Sequence, residues 1–376
     1  MLVVLILGIE TSCDETAAAI VENGRVVRSS VVASQEEIHA RYAGVVPELA
    51  SRAHVERITP VLRKALLNAG VAWREIDAVA VGHRPGLIGS LLVGVSAAKA
   101  VAWSLGKPLI GVDHVQAHMY AGVLEDPRER SISGMNDPPG DLFPALGFVV
   151  SGGHTSLYRL DSWTEIKRLG GTIDDAMGEA FDKAAAILGI PFPGGPNLDR
   201  LASSEGSNDR AEELPVSRLG GDSLDFSFSG LKTALLYAAR GVPASSNPRA
   251  ARPQPAPELT PGRVRDLAAS FQRAAVKAAI IKIQRALERL GSSAGGVRSL
   301  LVGGGVSANS RLRIDLEMLA DKRGVRLVIP RMKFCVDNAA MIAGLAYHLG
   351  SESSMAGLAL QASPSTSLAG ANAVHT

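Results

Sequence analysis

The strongest constraint on this chain is an order of elements that occurs twice. An apolar segment, Leu2 to Glu10, runs into the polar turn "TSCDET". Two more strand-like segments follow, "AAAIVENG" and "RVVRSSVVAS", joined at Asn23-Gly24, a strong hairpin signal. Residues 48–70 then read as an amphipathic helix and "DAVAVGHRPG" as a buried strand. "GSLLVGVSAAKAVAWSLG" reads as a helix with small residues for close packing, and "PLIGVD" as a short strand running into "HVQAHMYAGVLE". The second half restarts in the same way. "PALGFVVSGGHTSLYRLDSWTEIKRLGG" offers strand, glycine turn, strand, turn, strand, and helices follow around 174–189 and 264–291. "VRSLLVGGGVSANSRLRIDLEMLADKRG" reads as strand, glycine turn, helix; "VRLVIPRMKFCVDNAAMIAGLAYHLG" reads as strand, loop, helix. Each half is expected to begin as three antiparallel strands and to grow by strand–helix units that add parallel ones. The repeat is of elements, not of letters. With 376 residues, 46% of them hydrophobic, there is apolar material for two cores.

Composition narrows the classes of function. Aromatics are only 4%, which argues against a stacking platform for single-stranded RNA, and a net charge of +2 neither demands nor excludes a nucleic-acid partner. The two cysteines, Cys13 and Cys335, are far apart, so a disulfide framework is out and a reducing cytoplasm is the expected setting. The opening "MLVVLILGIETSCDE" lacks a basic leader region and reads as a buried strand. No uninterrupted apolar run reaches the roughly 20 residues of a membrane helix, so no membrane is expected. Three stretches read as additions: the polar loop 128–141, a Pro/Ala/Ser-rich insertion at 242–262, and a frayed tail from Ser351 onward.

Three glycine turns carry chemistry. "VSGGHTS" turns between two strands, and successive N–H groups in such a turn form an anion nest. "ETSCDET" is its counterpart in the first half; its acids suit a cation-bridged phosphate or the positioning of a reacting group. "LVGGGVSANSRLR" opens a helix whose N-terminus favours negative charge or a polar ligand edge. Turns at matching places in two similar halves favour a nucleotide-like ligand in the cleft over plain tight turns. His114 and His118 stand four apart after the last strand of the first half, one turn apart on a helix face. The corresponding place in the second half is "FCVDNAAM", with Asp337 opening the last helix. If a pseudo-twofold axis relates the halves, two imidazoles and a carboxylate meet across the cleft, a ligand set suited to Fe(II) and also to zinc. The alternatives are two hydrogen-bonded histidines and an Asp337 that merely caps its helix. "DDAMGEAFDKAAAILG" puts Asp175, Glu179 and Asp182 near one helix face, read as a solvated acidic face, and "PFPGGPNLDR" as a turn that could wall a pocket. "DFSFSGLKTAL" reads as a binding loop or a helix start, and Cys335 as a packing cysteine. Arg311, Arg313, Lys322, Arg323 and Arg326 gather on one helix and the strand after it, as an RNA surface or an ordinary solvated face.

"GIETSCDETAAAI", "PGLIGSLLVG", "DHVQAHMYA", "VSGGHT", "GEAFDKAAAILG", "PGGP", "FSFSGLKTA", "GGGVSANSRLR" and "CVDNAAMIAG" occur in this order. Together, over residues 5–348, they resemble the bacterial TsaD family, formerly described as glycoproteases. The resemblance implies an α/β actin-like ATPase fold, shared with sugar kinases and heat-shock chaperones, with two similar domains around a central cleft. It implies residues 1–126 as the first domain, joined by the 337–350 helix, and 127–336 as the second, carrying the 242–262 insertion, with 351–376 as a flexible tail. It implies transfer of a threonylcarbamoyl group from threonylcarbamoyl-AMP to N6 of the adenosine 3′ of the anticodon in tRNA. His114, His118 and Asp337 would hold Fe2+, with Zn2+ as a substitute. Val149, Val150, Ser151, Gly152, Gly153, Asp182, Gly195, Asp199 and Asn309 correspond to substrate-binding positions. The partners implied are tRNA, a TsaB-like paralogue and a TsaE-like ATPase. Two departures stand out: Arg84, preceded by His83, replaces the family's usual glycine before "PGL", and the 242–262 insertion has no counterpart.

Rival readings separate on single features. A zinc-protease helix needs Glu directly after its first histidine, and here Val115 then Gln116 follow His114. An actin-fold small-molecule kinase has no need of the two histidines and the aspartate. A TsaB-like scaffold lacks them.

Overall fold

Two five-stranded sheets of the same topology build the protein. The computed structural model describes residues 3–42, 44–127, 142–242, 257–291, 296–350, 357–366 and 368. The loop 128–141 and most of the 242–262 insertion lie outside the described residues. In chain order the first half runs β1 (Leu5–Glu10), β2 (Glu15–Glu22), β3 (Val26–Ser34), α1 (Glu36–His39), α2 (Pro47–Ala69), β4 (Ala78–Arg84), α3 (Ile88–Leu105), β5 (Leu109–Asp113) and α4 (His114–Tyr120). The second runs β6 (Ala145–Val150), β7 (Thr155–Leu160), β8 (Ile166–Gly171), α5 (Met177–Ile187), α6 (Gly194–Ala202), α7 (Ser229–Arg240), α8 (Pro261–Gly291), β9 (Ser299–Gly303), α9 (Ser310–Arg323), β10 (Arg326–Val328) and α10 (Ala339–Leu349).

The first sheet has the order β3-β2-β1-β4-β5 and the second β10-β9-β6-β7-β8. In each, the first three strands in sequence are antiparallel and the last two join in parallel. The hairpin expected at Asn23-Gly24 forms, with both residues at positive φ. Strand alternation divides the cores. Leu7 and Ile9 of β1 pack on Ile58, Leu62 and Val95 of α2 and α3, while Ile6 faces the other way, toward α10. Likewise Phe148 and Val150 of β6 face α5 and α8, and Ala145 and Val149 face α4.

The helices α4 and α10 form the middle layer. α4 leaves the first sheet and packs on β6 and β9 of the second; α10 leaves the second and packs on β1, β2 and β4 of the first, and the two helices touch. Glycines make this crossing feasible. A Cβ on Gly8 of β1 would lie 2.2 Å from Ala339 O, and one on Gly303 of β9 would lie 1.9 Å from His118 O. α10 is apolar all round and buried from Ala339 to Ala346, as a helix between two sheets must be. Burying Met341, Ile342 and Leu345 there contributes roughly 1.5–3 kcal/mol each.

Three local readings are corrected and one open alternative is settled. "PGGPNLDR" is not a turn but the helix α6, whose first-turn N–H of Gly195 is capped by Asp182 Oδ1 from α5 at 2.9 Å. "FSFSGLKTA" resolves as the start of α7, with Ser227 Oγ, Ser229 Oγ and Phe228 N all donating to Asp174. Asp175, Glu179 and Asp182 do not form one solvated face: α5 starts at Met177, Asp175 binds Lys183 and Lys232, and Asp182 turns to Gly195. The tail is not frayed throughout. Leu360 is buried over Gly111, Gln361 O accepts from His83 Nδ1 (2.8 Å), and Thr366 Oγ1 donates to Asp113 Oδ2 (2.7 Å). Finally, α3 is long and apolar enough by composition to cross a membrane, but Leu91, Val95, Ala98 and Ala102 pack inward in this fold.

Candidate metal centre and cleft

The strands β1 and β5 and the two crossing helices bring three side chains together. His114 and His118 occupy successive turns of α4, whose N-cap is Asp113 through bonds from Val115 N and Gln116 N. Asp337 sits just before α10. It does not cap that helix; Asn338 does, accepting from Met341 N at 3.0 Å. Asp337 is thereby released to face the imidazoles. Its Oδ1 lies 3.4 Å from His114 Nε2 and 3.2 Å from His118 Nε2, and ligand atoms of all three residues lie within 4.8 Å of one another.

The donor set fits a metal ion on the molecule's own terms. His118 is fully buried, and among the described residues neither ring nitrogen has a hydrogen-bond partner; its Nε2 lies close to Asp337 but off the direction a hydrogen bond requires. An unsatisfied buried nitrogen costs about 1–3 kcal/mol, a cost that a coordinated cation removes. His114 is oriented from behind. Its Nδ1 lies 3.1 Å from Glu10 Oε2 and 3.2 Å from Ser12 Oγ, so Nδ1–H donates to the buried carboxylate and Nε2 is left to coordinate. Glu10 is wholly buried, held in place by Ser12 N and crowded by Gly82, where a Cβ would lie 2.4 Å from Oε2. Sequence reasoning missed Glu10 and Ser12 as supports. The available signal was an acid closing an otherwise apolar buried strand.

Charge in the metal-free cleft follows from these contacts. Burial alone would lower the His114 pKa, but the Asp337 and Glu10 carboxylates outweigh it and hold it well above the usual value. Burial and the charge on His114 push His118 down. Burial would raise Asp337, but His114 and His118 hold it well below the carboxylate range. Glu15, which opens β2 beside this centre, is pushed up to about 10 by burial and by the Asp337 and Asp14 charges. A buried carboxylate facing two imidazoles, of which His114 would give up its proton on binding, suits a divalent cation.

Across the cleft lies the turn after β6. His154 is pushed down to about 4, first by burial and then by the charges on His114 and His118. Ser151 N donates to His154 O and His154 N to Ser151 Oγ, at 2.7 and 3.1 Å. Gly152 and Gly153 are exposed, a Cβ at either would meet nothing within 4 Å, and neither N–H takes a hydrogen bond among the described residues. Neither glycine is at positive φ, so no backbone strain attaches to replacing them. The side chains of Val149 and Val150 are buried in the two cores, so these residues offer the cleft only their main chain.

The remaining candidates form a second group. Asp182 holds Gly195. Asp199 Oδ2 accepts from Ser310 N (3.0 Å) and its Oδ1 from Ser310 Oγ (2.6 Å). Asn309 caps α9 through Leu312 N (2.9 Å) and donates to Gln272 (3.0 Å). The N-terminus of α9, expected to be open to a ligand, is thus partly filled by Asp199. Beside it a cavity of about 260 Å³ is lined by Ser203, Ser207, Asn208, Gln272 and Arg311. Three of the five basic residues on α9 and β10 are paired within the protein, Arg311 with Asp209 and Asp315, Arg313 with Pro330 O and Arg323 with Glu288, while Lys322 and Arg326 are exposed.

Comparison with known proteins agrees with this geometry. The family model "TsaD: tRNA N6-adenosine threonylcarbamoyltransferase" matches residues 26–344. A tRNA N6-adenosine threonylcarbamoyltransferase of Symbiobacterium thermophilum is 49% identical over 346 residues, covering 92% of this chain and 91% of its own. One of Moorella thermoacetica is 47% identical over 362 residues, covering 96% of each chain. Full-length HypF, solved in a phosphate- and nucleotide-bound form, aligns over 94% of this chain and 47% of its own at a TM-score of 0.51 and 14% identity, a likeness of fold alone. The duplicated sheets with exchanged helices are the actin-like ATPase fold. This chain belongs to the TsaD family and is a threonylcarbamoyltransferase acting on tRNA.

Proposed function

We propose that the donor is threonylcarbamoyl-AMP and that the acceptor is the adenosine 3′ of the anticodon. The observation that carries this reading is the convergence of His114, His118 and Asp337 on one point, with the His118 nitrogens otherwise unsatisfied. Those three residues would hold Fe2+, or Zn2+ in its stead, and the ion would supply Lewis-acid polarisation of the donor and a fixed template for it. In the reaction N6 of adenine bonds to the carbamoyl carbon, the bond from that carbon to the AMP phosphate oxygen breaks, AMP departs and N6 gives up a proton.

The chain's own groups bind and orient. The N–H groups of Gly152 and Gly153 suit a phosphate or carbonyl oxygen of the donor. Asp182, Gly195, Asp199 and Asn309 are assigned to the donor's nucleoside by the family resemblance, and the acids and the amide among them suit ribose hydroxyls and a base edge. Glu10 and Ser12 keep the His114 ring turned so that Nε2 faces Asp337, where it would hold the ion.

A TsaB-like paralogue and a TsaE-like ATPase are proposed as partners, with the cytoplasm as their setting. Support for the first comes from the surface where α2 and α3 meet. A Cβ on Gly89 would lie 2.5 Å from Ser51 Oγ, and around that contact Val55, Ile88 and Leu92 are all exposed. Such an apolar row suits a helical partner. The test is to supply the adenylate, made with isotopically labelled threonine, together with a tRNA transcript and the two partner proteins. Label is expected in the adenosine 3′ of the anticodon. Label absent from tRNA, with phosphate transferred from ATP to a small molecule instead, would favour a kinase.

A further inference from the structure

We propose that Arg84 is a phosphate-binding residue at the carboxyl ends of the first sheet's parallel strands, beside the His114 support. Parallel strands β1, β4 and β5 end at Glu10, Arg84 and Asp113, so Arg84 stands on the strand between the carboxylate that holds His114 and the residue that precedes it. Ligands of open α/β sheets bind beyond these carboxyl ends. The β4–β5 register breaks between Gly82 and Arg84, which brings Arg84 opposite Asp113. Bulges of this kind re-aim side chains beside active sites. The turn that follows is fixed on the metal centre's own support: Leu87 N donates to Ser12 O at 2.8 Å, and a Cβ on Gly86 would lie 2.5 Å from the same oxygen. Ser12 in turn touches His114.

The guanidinium is held but not satisfied. Its Nε lies 3.5 Å from Asp113 Oδ2 without making a hydrogen bond, and the side chain is 35% exposed. Asp113 is already engaged: Oδ2 accepts from Thr366 and Oδ1 from the first N–H groups of α4. No other hydrogen bond to Arg84 is present among the described residues. The arginines of α9 differ, each being tied to a carboxylate or a carbonyl. A planar cation steadied by one acid and left one-third exposed beyond the carboxyl ends of the strands suits a phosphate oxyanion. Two sources bring one to this place, the tRNA backbone and the AMP moiety of the donor; the second rests on the donor proposed above.

The test compares the full chain with Arg84→Gln and Arg84→Lys, after thermal melts and metal content establish that both are folded and loaded. Binding of a tRNA transcript is followed by fluorescence anisotropy between about 50 and 200 mM salt, and binding of AMP and of adenosine by calorimetry. For a tRNA phosphate, Arg84→Gln is expected to weaken tRNA binding about five- to tenfold at low salt and to reduce the salt slope by about one, with Arg84→Lys near wild type. For the donor, Arg84→Gln weakens AMP by a similar factor and leaves adenosine unchanged. Wild-type tRNA affinity and slope together with wild-type AMP affinity in Arg84→Gln would overturn the proposal. That result leaves the donor reading intact, since label transfer from the adenylate tests it separately.

Discussion

Gly303→Ala is the substitution whose effect follows most directly from the fold. A Cβ at this position would lie 1.9 Å from the carbonyl oxygen of His118, 2.5 Å from its carbonyl carbon and 3.2 Å from its Cα. The obstacle is backbone on both sides, so no side-chain rotation relieves it. β9 and α4 must part by at least about 1 Å, an overpacking that costs about 1–3 kcal/mol. α4 is pinned at its start by the Asp113 cap and along its length by Met119 against Gly147, so the displacement falls on His118 itself. Misplacing a catalytic group by about 1 Å costs on the order of 100-fold in rate. Gly303→Ala should therefore melt a few degrees lower in one transition, bind Fe2+ at least about tenfold more weakly, and modify tRNA about 100-fold more slowly. Metal titration of the stripped protein and initial rates on a tRNA transcript provide the assay. Wild-type metal affinity and rate in a folded Gly303→Ala would mean that the α4–β9 approach does not set the position of His118.

Four further outcomes are expected. His114→Ala or Asp337→Ala should lose bound metal and most activity while melting cooperatively, read by elemental analysis and calorimetry. Glu10→Gln keeps the shape behind His114 but removes the carboxylate, and should weaken metal binding about 10–100-fold without removing a ligand. Gly152→Val should melt like wild type, because the position is open and φ is not positive, yet bind the adenylate far more weakly than it binds metal. His54 is buried neutral, accepting from Thr16 at Nδ1 (2.7 Å) and donating to Cys13 O from Nε2 (3.0 Å), and burial lowers its pKa. Below about pH 6.5 the unfolded chain takes up a proton there and the folded one does not, so stability falls with pH down to the lowered value. Chemical denaturation of His54→Gln across this range should show a shallower acid limb than wild type.

The repeated order of elements was legible because it rests on local signals. Asn23-Gly24 makes its hairpin, and β1 and β6 read as strands from continuous apolar runs. What stayed hidden depended on contacts distant in sequence. α6 looks like a turn because its first N–H is satisfied by Asp182, 13 residues earlier. Asp337 and Asn338 are both good caps by residue type, and only the imidazoles across the cleft decide which one caps and which one faces a metal. The filling of the α9 N-terminus by Asp199 joins residues 111 apart. The docked stretch around Leu360 has too little apolar character to announce itself, since it depends on the space left by Gly111. The meeting of His114, His118 and Asp337 was the legible part of the candidate site because equivalent places in two like halves converge.

The central claim, a tRNA transferase built on the His114–His118–Asp337 centre, meets its most direct test in one titration. Protein stripped of metal is loaded anaerobically with Fe2+ in increments, and after each addition the modified adenosine formed in a tRNA transcript is counted by nucleoside mass spectrometry. Product should be near zero without metal and rise until one ion is bound per chain. Full product formation by the stripped protein, or none at any loading with the adenylate and partner proteins present, would contradict the account.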